Sequence, residues 1–171
     1  MGCDIHCYLE YRDPNPEWKP QDGVIQWTGW SRIYPGRNYE VFGHLAGVRS
    51  STEPVVEPRG VPEDMSWETA GDYYLRINDE YKDMEGYTTR EKAEEWVKYG
   101  HKIIYKEDGT PEKVEHPDWH THSWITTDEL AQVLGRINPS HISVGYWGLL
   151  GAMKELEWHG QEVRLVFWFD N

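Results

Sequence analysis

Long apolar runs, cysteine and basic charge are all scarce in this sequence. No stretch reaches the roughly 18 consecutive apolar residues of a membrane-spanning helix, so no membrane partner is expected. The opening Met1-Gly2-Cys3-Asp4 has no basic segment ahead of an apolar one, as a secretory signal would. His6 stands where N-myristoylation calls for serine or threonine. These absences predict a cytoplasmic protein. Cys3 and Cys7 are the only cysteines. On one face of an extended segment they lie about 13 Å apart, beyond disulfide reach, which excludes a disulfide scaffold unless the segment bends back. Seventeen Lys and Arg stand against 30 Asp and Glu, a net charge of −13, with no Lys/Arg cluster. A duplex-binding protein presents a basic face, so duplex nucleic acid is not an expected partner. The acids are scattered rather than arrayed, which favours solubility over mimicry of nucleic acid. Repeats, low-complexity tracts and linkers are also missing, so residues 1–171 read as a single domain.

Aromatic residues, by contrast, are plentiful: ten Trp and eleven Tyr bury large areas, and their N–H and O–H groups gather at wet pockets. Residues 2–11 alternate, with Cys3, Ile5, Cys7, Leu9 and Tyr11 on one face and Asp4, His6, Tyr8 and Glu10 on the other. This predicts a strand with an apolar face and a chemically capable polar face. A strand or ribbon is expected over 24–34, a short helix over 38–48 and a Pro-rich loop over 50–63. Further helices are expected over 66–77, over 88–99 from a capping box at Thr88, over 127–137, and over 145–157. A short strand is expected over 102–106. The nearly all-apolar 163–169 predicts a strand buried on both faces. The expected fold class is α+β: a mixed or antiparallel sheet holding both terminal strands, covered by about four helices.

Two Asp-x-His runs carry the main chemical signal, Asp4-Ile5-His6 and Asp118-Trp119-His120-Thr121-His122. In extended chain, residues two apart share a face, so Asp4 with His6, and Asp118 with His120 and His122, could ligate a divalent metal such as Zn or Mn. A metal-bound water would then supply hydroxide for hydrolysis. The plainer alternative is a metal-free polar pocket in which these groups satisfy one another. His141-Ile142-Ser143-Val144 also partly fits the apolar-His-x-Ser/Thr-apolar pattern of 2H phosphoesterases, although Pro139-Ser140 reads as a turn there. Arg37, Arg49 and Arg59 point toward an anion, since the planar guanidinium suits phosphate or carboxylate. Tyr39, Trp67 and Trp124 are candidate stacking platforms.

The chain carries the segments Met1-Gly2-Cys3-Asp4-Ile5-His6, Arg37-Asn38-Tyr39-x-x-Phe42, Leu45-Ala46-Gly47-Val48-Arg49, Glu57-Pro58-Arg59-Gly60-x-Pro62-x-Asp64, His120-x-His122-Ser123-Trp124 and Val166-Phe167-Trp168-Phe169-Asp170-Asn171. Together they resemble those of a small protein family found in bacteriophages and some bacteria, for which no activity is assigned. The resemblance implies a phage setting and a host-cytoplasm location, and no catalytic roles. The leading expectation is a protein that binds a small anionic, nucleotide-derived ligand through His6, Arg37, Tyr39, Arg49, Arg59, His122, Ser123 and Trp124, without cofactor. In a phage this would sequester a host defence signal. The alternative is a metal-dependent phosphoesterase using Asp4, His6, Asp118, His120 and His122. A structural or partner-binding phage protein is the third. The apolar segments account for a core without leaving an obvious surplus face for self-association.

Overall fold

The computed structural model describes residues 2–171, the side chain of Ser31 excepted. In chain order the elements are β1 (Ile5–Arg12), β2 (Thr28–Ile33), α1 (Tyr39–Ala46), α2 (Trp67–Tyr73), β3 (Tyr74–Ile77), β4 (Tyr87–Thr88) and α3 (Arg90–Lys98). They continue as β5 (Ile103–Tyr105), β6 (Pro111–Glu115), β7 (His120–Ile125), α4 (Thr127–Gly135), α5 (Val144–Trp158) and β8 (Glu162–Phe169). The fold is α+β. One sheet runs β2-β1-β8-β7 and is antiparallel throughout, with the two terminal strands adjacent at its centre. A second sheet, β4-β3-β6-β5, is mixed, because β3 and β4 run parallel.

The two faces of the first sheet have different covers. Ile5, Cys7 and Leu9 of β1 and Leu165, Phe167 and Phe169 of β8 pack against α1, α4 and α5 in one apolar core. The opposite face carries Tyr8, Val166 and Trp168, which meet Tyr73 and Tyr74 at the α2–β3 junction. Strand β8 is therefore enclosed on both sides, as its apolar run predicts. Each large side chain so buried contributes about 1.5–3 kcal/mol relative to exposure.

Local signals explain the helix ends. The Asn38 side chain accepts from the amides of Glu40 and Val41 to start α1. Gly47 ends it in the left-handed region at φ 69°, donating back to Gly43. A full capping box opens α4, with Thr126 accepting from the Glu129 amide and Glu129 accepting from the Thr126 amide. Thr126→Ala is expected to lower stability by about 1 kcal/mol, seen as a lower urea midpoint with an unchanged slope.

The structure corrects two expectations. Residues 66–77 are helical only to Tyr73. Tyr74, Leu75 and Arg76 instead pair with Glu115, Val114 and Lys113 as β3. Thr88 belongs to β4, and Thr89 caps α3 by accepting from the Lys92 amide. The expected helix-covered sheet with both terminal strands is present, and among the described residues a second sheet stands beside it.

The groove-side face also holds a buried ionic network. Glu10 lies opposite Arg164 across the β1–β8 ladder, and both are buried. Arg164 donates to Glu10 (Nε–Oε2 2.7 Å) and to Asp64 (Nη1–Oδ1 2.8 Å). The Ser66 amide caps the remaining Glu10 oxygen at 2.7 Å. Trp27 lies between two guanidiniums, 3.9 Å from Arg164 and 4.4 Å from Arg12, while its indole N–H donates to Asp64.

Candidate functional site

The polar face of β1 opens into a groove between the two sheets. A cleft of about 1030 Å³ is lined by Asp4 just ahead of β1, His6 and Tyr8 from β1, Arg32 from β2, and Arg76 from β3, with Asp170 just beyond β8. His6 shares a 2.8 Å hydrogen bond through Nε2 with Asp170 Oδ2. The other Asp170 oxygen accepts from the Asp4 amide at 3.0 Å, which fixes the carboxylate. An ionised carboxylate only accepts, so Nε2 carries the hydrogen; in that neutral tautomer Nδ1 is the acceptor nitrogen. Nδ1 has no hydrogen-bond partner among the described residues. The imidazole stacks on Trp168 with centroids 5.9 Å apart and planes at 9°, and Trp119 tilts against it at 5.4 Å. Two rings and one carboxylate thus hold His6 in a single orientation.

Asp4 is committed differently. Arg37 forks onto both its oxygens (Nε–Oδ1 2.9 Å), and the Tyr34 hydroxyl donates to Oδ1 at 2.8 Å. The Arg37 guanidinium holds the Asp4 carboxyl below its usual range, with the Tyr34 hydrogen bond assisting. Tyr8 donates to Asp72 at 2.9 Å. His116 stacks on Trp119 with centroids 4.6 Å apart.

A second lobe of about 700 Å³ adjoins the first and shares Tyr8, Arg32, Asp72, Tyr74 and Arg76 with it. Its own walls bring Trp30, Trp67, Glu68 and Lys113. Among the described residues, neither Arg32 nor Arg76 pairs with a carboxylate. Arg76 donates only to the Tyr87 hydroxyl at 3.3 Å, with its guanidinium 5.8 Å from that ring. The charges are unevenly shared. The first lobe sets Asp4, Asp72, Glu85, Asp118 and Asp170 against Arg32, Arg37 and Arg76. The second sets Arg32, Arg76 and Lys113 against Glu68 and Asp72.

Of the residues singled out in the sequence, Asp4, His6, Arg37 and Asp118 line the first lobe. Arg49 does not line it but donates to Asn171, which does, at 3.0 Å, and lies in the left-handed region at φ 55°. Tyr39 accepts from the Cys3 amide at 3.4 Å and sets its ring edgewise to Phe42. Arg59 is a structural tie instead of a groove residue. It forks onto Glu129 and lies 4.5 Å over Trp124, and its amide donates to the Ser123 hydroxyl at 3.0 Å. Ser123 and Trp124 are thereby occupied in fastening the loop before α2 to β7.

The second Asp-x-His run does not present one face. Asp118 sits in a turn ahead of β7 and is exposed. The β7–β8 register shifts between His120 and Ser123, and Thr121 lies at φ 50°. This bulge breaks the alternation. His120 pairs with Phe169 and stacks on it toward the helix-side core, with its Nδ1 beside the Thr121 hydroxyl at 2.9 Å. His122 turns to the opposite face, edge-on to Tyr73 at 5.3 Å. His6 and His122 do share a sheet face, but Trp168, Trp119 and Tyr73 stand between them, and only His6 lines the groove. The proposed set Asp4, His6, Asp118, His120 and His122 does not converge. Among the described residues no group of three or more His, Cys, Asp or Glu is arranged to hold a metal ion. His141, of the phosphoesterase-like run, pairs with Glu40 at 3.2 Å, away from the groove.

Burial lowers the pKa of both His116 and His122. Their folded values lie below the unfolded value of about 6.5, so the unfolded chain takes up protons first. The corresponding stability is full above about pH 6.5 and is lost as pH falls toward the folded values. The melting temperature is expected to drop between pH 7 and 5, above the carboxylate range. His122→Phe should flatten that drop, and an unchanged slope in the variant would contradict it.

Reading the chain alone missed Asp170, Arg32 and Arg76 as groove residues. Asp170 was accessible in principle: pairing the terminal strands antiparallel brings it beside Asp4 and His6. No local signal marks Arg32 or Arg76, which meet only through the packing of one sheet on the other. Comparison with protein-family models, curated proteins and solved structures finds no match.

Proposed function

We propose that this protein binds a small phosphate-bearing ligand of the nucleotide class in the groove between its sheets. The observation that carries the reading is the pair Arg32 and Arg76. They are two guanidiniums from different sheets, without carboxylate partners among the described residues, in a groove walled by aromatic rings. A planar guanidinium recognises phosphate oxygens by forked hydrogen bonds, and indole rings accept a base on their faces. His6 offers an acceptor nitrogen, and its fixed orientation lowers the entropy lost on contact. Arg37 takes part through Asp4 and not as a free anion clamp, while Arg59, Ser123 and Trp124 support the scaffold. In a phage setting, binding alone suffices to withdraw a host signal from circulation.

Calorimetry with nucleoside phosphates, against inorganic phosphate and free nucleosides, tests the reading. Arg32→Ala and Arg76→Ala are each expected to weaken nucleotide binding by about 10- to 100-fold, the worth of a charge-assisted hydrogen bond. Neither heat nor thermal shift with any phosphate-bearing nucleoside would end this proposal.

The His6–Asp170 pair favours a second reading, in which the groove transfers a proton. A carboxylate that fixes the tautomer of an imidazole leaves the opposite nitrogen as a general base toward water. Release of 4-nitrophenolate from bis(4-nitrophenyl) phosphate, abolished in His6→Gln, would support it. No release by the unaltered protein counts against it.

A further inference from the structure

We infer that the ligand is a dinucleotide, with one base in each lobe and the bridging phosphate at the waist where Arg32 and Arg76 meet both. This rests on the phosphate-ligand reading above and goes further, because it fixes how many rings the ligand carries.

Size is the first argument. A site for one small molecule occupies about 300–1,000 Å³. The lobes measure about 1030 and 700 Å³, so each is large enough by itself, and they adjoin at the residues they share. A mononucleotide would leave one of them empty.

The second argument is the placement of aromatic surface. The first lobe holds Trp119 and His116. The second holds Trp30 and Trp67, which are 48% and 80% exposed. Indole rings left in water beside a cationic waist add nothing to the core. They are placed to stack on a flat ring, which every base provides.

Charge decides between a bridging and a terminal phosphate. A triphosphate tail laid into the first lobe would meet five carboxylates, Asp4, Asp72, Glu85, Asp118 and Asp170. In the second lobe it would meet Glu68 and Asp72. A diester link carries a single negative charge, and at the waist it faces the two guanidiniums and one carboxylate, Asp72, which already accepts from Tyr8 at 2.9 Å. The lobes then receive uncharged bases and sugars, whose N–H and O–H groups the surrounding carboxylates accept.

The test is calorimetry on the full chain with linear dinucleoside monophosphates covering every pair of common bases. The comparison ligands are the constituent mononucleotides, the nucleoside triphosphates and single-stranded hexanucleotides. At least one dinucleotide is expected to bind about tenfold or more tightly than either of its mononucleotides, and Trp67→Ala should remove that advantage. Trp67 is exposed, so the variant is expected to fold. Trp30→Ala probes the same lobe should Trp67→Ala fail to do so. Equal affinity for mononucleotide and dinucleotide would overturn the inference and leave the proposed function standing. A triphosphate as tightest ligand would do the same, as would a hexanucleotide, which would make the groove a track for single strands. Silence from every phosphate-bearing probe would remove both.

Discussion

Arg164→Ala is expected to destabilise the fold by about 3–5 kcal/mol, a large share of a small domain's stability. The reason lies in what the substitution leaves behind. Glu10 is fully buried, and Arg164 supplies both donors to its Oε2. Without the guanidinium, only the Ser66 amide still serves that carboxylate. Trp27 would also lose the guanidinium 3.9 Å from its ring, and Asp64 its 2.8 Å partner. Replacing both charges, as in Glu10→Leu with Arg164→Met, should restore much of the loss, since well-packed apolar groups avoid the cost of burying ions. Urea unfolding of the two single variants and the double variant measures this directly. A double variant as unstable as Arg164→Ala would show that the network's other ties, to Asp64 and Trp27, carry the stability.

Trp168→Ala should cost a similar amount, about 3–5 kcal/mol, and Trp168→Phe less than about 1.5 kcal/mol. Trp168 is fully buried, 4.9 Å from Tyr8 and from Trp119 and 5.0 Å from Tyr73 between ring centroids. Truncation would open a cavity under His6 and leave that imidazole without its stacking partner. Phenylalanine retains most of the ring contact. It also removes an indole N–H that is buried without an acceptor, so no new polar orphan is created. Comparable losses for the two variants in denaturant titration would mean that the fit of the full indole, and not ring contact alone, carries the stability. The same pair of proteins separates stability from binding, because the groove floor persists in Trp168→Phe.

How much could be read from the chain depended on the range of the forces involved. Helices α1 and α4 were visible because the apolar spacing Tyr39, Phe42, Leu45 and the Thr127-Asp128-Glu129 start are patterns within a turn or two, although Gly47 stops α1 earlier and Thr126 is the cap of α4. Strands β1 and β8 were visible because a two-residue alternation and an unbroken apolar run are each local patterns. The second sheet was not. Its β4 holds only two residues, and β3 becomes a strand because β6, some forty residues later, offers it a partner. Tertiary pairing there overrode a helical pattern through Ile77.

The site divides along the same line. The polar face of β1 was legible, and His6 and Asp4 do line the groove. The Asp118–His122 run failed because a single extra residue in β7 turns His120 and His122 to opposite sides, and nothing in His-Thr-His announces a bulge. Arginines chosen for standing near helix ends or in a Pro-rich loop proved to be tied down at Arg37 and Arg59. The uncommitted ones, Arg32 and Arg76, lie within strands.

The central position of β1 and β8 has a consequence for how the chain reaches this state. Every rung between them joins residues near opposite ends of the sequence, from Ile5 with Phe169 to Arg12 with Glu162. Closing so long a loop is entropically late, and proteins rich in such contacts fold slowly. During synthesis β1 must wait for β8, about 150 residues later, before its middle-of-sheet neighbour exists. Until then Ile5, Cys7 and Leu9 form an open, sticky surface on the nascent chain, and that interval is when a chaperone would be needed.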